Sequence, residues 1–150
     1  MKLLKVQKKV LSIALTNILT AGLLCGTASA HSGHDHGTSK GVQAQKGGVI
    51  KSLEHTHVEL VAKGKDLKVY LFNKDDKALD ALDVAPFTVT AKAELPRTKK
   101  SENVELKAMG KHLEGTFDAK GSHRYTLHLT VKDPKADHED TLKFTVEPGK

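Results

Sequence analysis

From Val49 onward the apolar residues recur at every second position, the period of a strand with one face turned to a core. In Thr56–Ala62, Val58, Leu60 and Ala62 share one face while His57 and Glu59 share the other. Gly64-Lys65-Asp66 makes a turn, and Leu67–Phe72 follows, apolar on both faces at its end as a central strand would be. Asn73–Lys77 turns again. Phe87–Glu94 alternates and stops before Pro96, Val104–Ala108 and Leu113–Phe117 read as a hairpin around Gly110, and Tyr125–Val131 alternates throughout. Leu142–Val146 closes the pattern before Pro148, while residues 78–86 fit either a short edge strand or a loop.

About seven short strands separated by polar turns, with no segment of helical period, predict an all-β fold. The expected form is an antiparallel β-sandwich of immunoglobulin-like architecture spanning residues 48–148. The chain has no tryptophan and one cysteine, so the Cys-Trp-Cys signature of true immunoglobulin domains is missing and the likeness is one of architecture. No internal repeat is present.

Ahead of the sandwich the pattern changes twice. Lys2, Lys5, Lys8 and Lys9 form a positive start, and Val10–Leu24 is mostly apolar but interrupted by Ser12, Thr16 and Asn17. Ala28-Ser29-Ala30 is then a small-x-small cleavage site. Residues 1–30 therefore read as a signal peptide cut after Ala30, the apolar run being too short and broken for a span of about 20 residues. The mature protein is expected to be periplasmic or secreted, with no stable membrane span after cleavage. Cys25 opens a second route, a lipoprotein anchor, but that processing wants a small residue before the cysteine and Leu24 is a poor fit. Residues 31–47 have only Val42 and Ala44 as apolar members, too little to offset ordering, and predict a flexible His/Gly-rich tail.

Composition removes some functions. The leader carries four lysines, so its loss lowers the formal net charge from +6 to +2, and the basic balance gives no argument for nucleic acid. The 120 residues left suffice for one domain and hold no cysteine, hence no disulfide and no thiolate metal site. Glycine-rich phosphate loops, nucleophile elbows and helices with paired histidines are lacking, and all six aromatic residues fall in predicted strands, so no catalytic residue is assigned.

Candidate metal chemistry begins at the cut. Cleavage after Ala30 makes His31 the first residue, and its free α-amine and imidazole can chelate one ion, with His34, Asp35 and His36 close behind. Neutral imidazoles suit Cu(II), Zn(II) and Ni(II), and Asp35 adds a carboxylate; without thiolates, and with Met109 the one mature methionine, a soft Cu(I) site is disfavoured. The third mature residue is Gly33, so the chelate that needs histidine there is replaced by the His31 amine and imidazole with His34 or His36. The plain alternative is a solvated linker that binds metal weakly. A second cluster is His55, His57 and Glu59, which alternation places on one strand face. Same-face neighbours stand about 6–7 Å apart, so a complete site there needs an adjacent strand or the tail, and the alternative is a solvent-facing polar row. His128 lies on a polar face, His112 and His123 flank turns, and His138 sits in an acidic turn, Asp137-His138-Glu139-Asp140, that is solvated or, as the alternative, binds a cation weakly.

The His/Gly/Asp tail, Gly47-Gly48-Val49, His57-Val58-Glu59-Leu60-Val61 and Leu67-Lys68-Val69-Tyr70-Leu71 together resemble small periplasmic proteins associated with heavy-metal efflux systems. They are also similar to the His-rich N-terminal segments of some efflux periplasmic adaptor proteins. The resemblance covers residues 31–72 and implies a periplasmic accessory that binds or hands over copper, zinc, nickel or cobalt, with an efflux adaptor or another envelope protein as partner. Only His57 and Glu59 carry over as candidate ligands, and neither the lysine content nor the acidic turn belongs to that pattern. The rival expectation is a non-catalytic interaction module that docks an envelope protein through an edge strand, with the tail as linker. Oligomeric state is left open, a metal shared between two tails being one route to a dimer.

Overall fold

Strands form wherever the sequence alternates. The protein's structure, a computed structural model, describes residues 42–75 and 80–149; the leader with Cys25 and its cleavage point, and the tail residues His31, His34, Asp35 and His36, lie outside the described residues. The described residues hold nine strands: β1 (Val49–Ser52), β2 (Thr56–Lys63), β3 (Asp66–Asn73), β4 (Thr88–Glu94), β5 (Ser101–Val104), β6 (Leu106–Ala108), β7 (Leu113–Thr116), β8 (Tyr125–Lys132) and β9 (Glu139–Val146). They make two antiparallel sheets, ordered β1-β2-β3-β7-β6 and β5-β4-β8-β9. Taken from β2 to β9, this is the A-B-E-D and C′-C-F-G order of an immunoglobulin-type sandwich, with β1 added outside the first strand.

Two strands exceed the expected set. β1 is short and ends on Lys51 and Ser52, and its existence depends on pairing with β2 in the register Val49↔Leu60 to Ser52↔His57. The other arises because the run expected as one strand, Val104–Ala108, is split at Glu105. Before it, β5 pairs with β4 in the second sheet; after it, β6 pairs with β7 in the first. Gly115 faces this switch, and a Cβ added to it would stand 2.8 Å from the Glu105 carbonyl oxygen. Of the ambiguous segment 78–86, the described part is a loop that takes over where β7 ends. Ala81 bridges Phe72, the Leu82 N–H donates to the Leu71 carbonyl at 2.8 Å, and the Val84 N–H to that of Gly110 at 2.9 Å.

The core lies between the sheets. Val58 and Leu60 of β2 and Leu67, Val69 and Leu71 of β3 face Leu127, Leu129 and Val131 of β8 and Leu142, Phe144 and Val146 of β9, all buried. Truncating one such leucine to alanine costs about 2–5 kcal/mol. Phe117 and Tyr125 pack at a centroid distance of 4.7 Å. The Tyr125 hydroxyl has no hydrogen-bond partner among the described residues, and burial pushes its pKa up to about 12. Ile50 and Phe72 are buried as well but on the outer face of the first sheet, beside Glu59 and His57, their partners in the β1–β2–β3 register. That covered outer face is why Leu67–Phe72 reads as apolar on both sides.

Candidate metal centre

His57 and Glu59 stand on one face of β2, as alternation requires, yet neither is open to solvent. The Glu59 side chain is fully buried beneath the chain that enters β1. Its Oε2 accepts the Gln45 N–H, and its Oε1 accepts those of Lys46 and Gly48, each at 2.8 Å. Gly47 makes the turn with φ +83°, and Gly48 approaches so closely that a Cβ would stand 2.2 Å from the Leu60 carbonyl oxygen. Successive backbone N–H groups thus form a concave anion nest that the protein fills with its own carboxylate. Lys46 adds a cation–π contact, its Nζ 5.8 Å from the Tyr70 ring centroid. Glu59 is therefore an anchor that fixes the base of the tail on the first sheet, with three of its roughly four lone-pair directions taken.

His57 is also buried, opposite Phe72 on one side and Ser52 on the other. Its Nδ1 lies 2.6 Å from the Ser52 hydroxyl oxygen, so Nε2 is the ring nitrogen left for other chemistry. Burial, and then the charge of Lys74, hold its pKa below the usual histidine value, which keeps the ring neutral near pH 7.

His55 departs from the expected row. It precedes β2, in a tight turn closed by the Leu53 N–H donating to the Thr56 carbonyl at 2.7 Å, and its own carbonyl accepts the Lys74 N–H at 3.0 Å. The imidazole turns to the neighbouring Glu54, Nε2 to Oε1 at 3.7 Å. The second oxygen of Glu54 lies 4.0 Å from Nε2 of His138, and the same nitrogen is 3.5 Å from Asp140 Oδ1. A buried polar tie explains why this distant histidine arrives here. The Thr56 hydroxyl donates to the Asp133 carboxylate, joining the β1–β2 turn to the β8–β9 connection. Asp133 shapes that connection by accepting the Lys135 N–H at 2.9 Å, while its carbonyl accepts the Ala136 N–H at 3.0 Å. The outcome is a string, His55–Glu54–His138–Asp140, partly exposed at one end of the sandwich. A cleft of about 280 Å³ bordered by His55, Thr56, Phe87 and Asp133 lies beside it.

Among the described residues, no three His, Cys, Asp or Glu side chains converge into a finished metal site. The N···O separations in the string are too long for hydrogen bonds. They approach the spacing of about 3.4 Å between ligands around a tetrahedral ion with bonds near 2.1 Å. Of the other described histidines, His112 stacks on Tyr70 at 5.2 Å and meets Glu114 Oε1 at 2.9 Å, His128 meets Glu94 Oε2 at 3.3 Å, and His123 lines a separate cleft with Arg97 and Arg124. Glu54 was not singled out from sequence, and His138 and Asp140 were read as one acidic turn, weakly cation-binding or simply solvated. The one available signal was the local one, a carboxylate beside each histidine. No protein-family model matches the chain, and no curated protein or solved structure matches it.

Proposed function

We propose that this is an exported, periplasmic accessory protein that captures a divalent transition metal, Cu(II), Zn(II), Ni(II) or Co(II), and hands it to an envelope partner such as a heavy-metal efflux adaptor. The observation that carries the reading is the pair of imidazoles, His55 and His138, distant in sequence, that stand beside the two oxygens of Glu54 at 3.7 and 4.0 Å. The tail supplies the remaining ligands: the His31 amine and imidazole, His34, Asp35 and His36. Eight residues lie between His36 and the anchored Gln45, nine steps with a reach of up to about 30 Å. The tail histidines can therefore approach the partly exposed Glu54 string without the anchor letting go, while buried His57 is reached only where its cover opens. A ligand set divided between a tethered segment and a fixed domain completes its coordination in stages, which suits transfer more than storage. Histidine ligands must be neutral to bind, so metal binding competes with protons and weakens in acid.

The test is calorimetric titration of the chain beginning at His31 with Cu(II), Zn(II) and Ni(II). A form extended at the N-terminus and a His55→Ala/His138→Ala form serve as comparisons. Micromolar or tighter binding, weakened about tenfold or more by either change, is the expected result. Tight binding untouched by both changes would assign the metal to other residues, and binding no tighter than about millimolar would remove the metal function.

A further inference from the structure

The mature chain is built almost wholly with lysine as its cation. It contains two arginines, Arg97 and Arg124, and both line one small cleft of about 280 Å³ with Pro96, Gly121, Ser122 and His123. We propose that this cleft is a binding site for a phosphoryl group.

Charge around the cleft is partitioned in a way that leaves these arginines available. Two acidic side chains nearby are taken by lysines, Lys120 Nζ holding Glu102 at 2.6 Å and Lys65 Nζ holding Asp118 at 2.7 Å, while Glu147 lines the neighbouring, larger cleft. No carboxylate lines the cleft, and among the described residues neither arginine has an ion pair. Two arginines lining one concavity with no carboxylate in its wall set like charges near each other, and an anion between them removes that cost.

Both walls are held in shape before anything binds. On one side the β4–β5 turn is closed by the Lys99 N–H donating to the Leu95 carbonyl at 3.0 Å. On the other, Asp118 Oδ1 accepts the Lys120 N–H at 2.9 Å and the Ala119 carbonyl accepts the Ser122 N–H at 2.9 Å. Between these bonds, Lys120 and Gly121 take consecutive left-handed conformations, φ 50° and 78°. Arg124 directly precedes Tyr125, the buried first residue of β8, so its backbone is rooted in the core.

Chemistry selects the class of anion. A guanidinium presents a planar fork of N–H donors that engages two oxygens at once, which an ammonium cannot do. One fork suffices for a carboxylate. Two forks with the Ser122 hydroxyl match the three or more oxygens of a phosphoryl group. The cleft adjoins a larger one, about 620 Å³, across the shared Gly121–Arg124 wall. That space leaves room for the rest of a phosphorylated molecule, either a small soluble one or a lipid headgroup.

The test uses the chain from His31 onward in metal-free buffer with chelator, so that its outcome is independent of the metal reading. Inorganic phosphate is titrated while the amide resonances of Gly121–Arg124 are followed, and flotation with phosphatidylglycerol vesicles is run beside phosphatidylcholine vesicles. The expected result is saturable movement of those resonances, lost in Arg97→Gln/Arg124→Gln and weakened at least about threefold in Arg97→Lys/Arg124→Lys, which keeps charge but removes the forks. Capture by phosphatidylglycerol vesicles with the same variant dependence identifies the headgroup as source; phosphate binding without capture identifies a soluble ligand. No resonance movement with phosphate and no capture overturns the proposal. So does binding that the lysine pair supports as well as the arginines, or that the glutamine pair leaves unchanged.

Discussion

Replacing Glu59 should loosen the base of the tail and destabilise the whole domain. Three charge-assisted hydrogen bonds converge on its carboxylate at 2.8 Å, each worth about 1.5–3 kcal/mol where the group is buried. Their full loss would exceed 4 kcal/mol on that scale, but residues 45–48 can peel away, rehydrate their N–H groups and recover backbone entropy of about 1–2 kcal/mol per residue. The net cost for Glu59→Ala is then about 2–4 kcal/mol. Glu59→Gln keeps the shape and one acceptor oxygen for Lys46 and Gly48 but turns an amide N–H₂ toward the Gln45 N–H, costing about 1–3 kcal/mol. A hydrophobic replacement is no remedy, because the donors it strands belong to the backbone. Urea denaturation gives the stability change, and amide exchange at Lys46 and Gly48 reports the anchor directly. If Glu59→Gln unfolds at the wild-type urea midpoint and both amides stay protected, the anchoring role assigned to this carboxylate is wrong.

Further expectations follow from the same geometry. The folded-state pKa of His57 is depressed, so the unfolded chain binds more protons below about pH 6.5 and stability must fall as pH drops through that range. Melting temperatures from pH 8 to 4.5 should show this slope in wild type and a shallower one in His57→Gln; equal slopes would remove the assignment. Gly48→Ala forces a Cβ to 2.2 Å from a backbone oxygen, and should cost at least about 1–3 kcal/mol in urea while restoring nothing at the Glu59 anchor. Thr56→Val breaks the tie to buried Asp133 at nearly constant volume, and should cost about 1–3 kcal/mol while weakening metal binding through displacement of His138. A destabilised Thr56→Val protein with unchanged metal affinity would detach His138 from the metal reading.

The fold was largely legible because one face of each strand is buried, which writes a period of two into the sequence; β4, β8 and β9 are plain cases. The strand switch at Glu105 was not legible, since moving an edge strand between sheets changes its partner and not its alternation. The site was legible only in part. His57 and Glu59 were correctly placed on one face, but a polar face that the chain folds back to cover looks in sequence like one open to water. The Gly47-Gly48 pair was the visible sign of that return, since one glycine makes the turn and the other permits the close approach. The meeting of His55 with His138 depends on Thr56 and Asp133, 77 residues apart, and no local spacing encodes it.

The crossing of one edge strand from sheet to sheet also bears on how this protein meets copies of itself. Along that side the kink at Glu105 leaves no straight run longer than the four residues of β5 for a foreign strand to pair with. The other side carries β1 and the eight-residue β9, where Lys51 Nζ lies 5.8 Å from the Phe144 ring centroid and links the two strands. Growth of a fibre by edge pairing requires a receptive edge on both flanks of each unit. With one flank blunted and β1 only four residues long, the one long edge left open to a foreign strand among the described residues is β9.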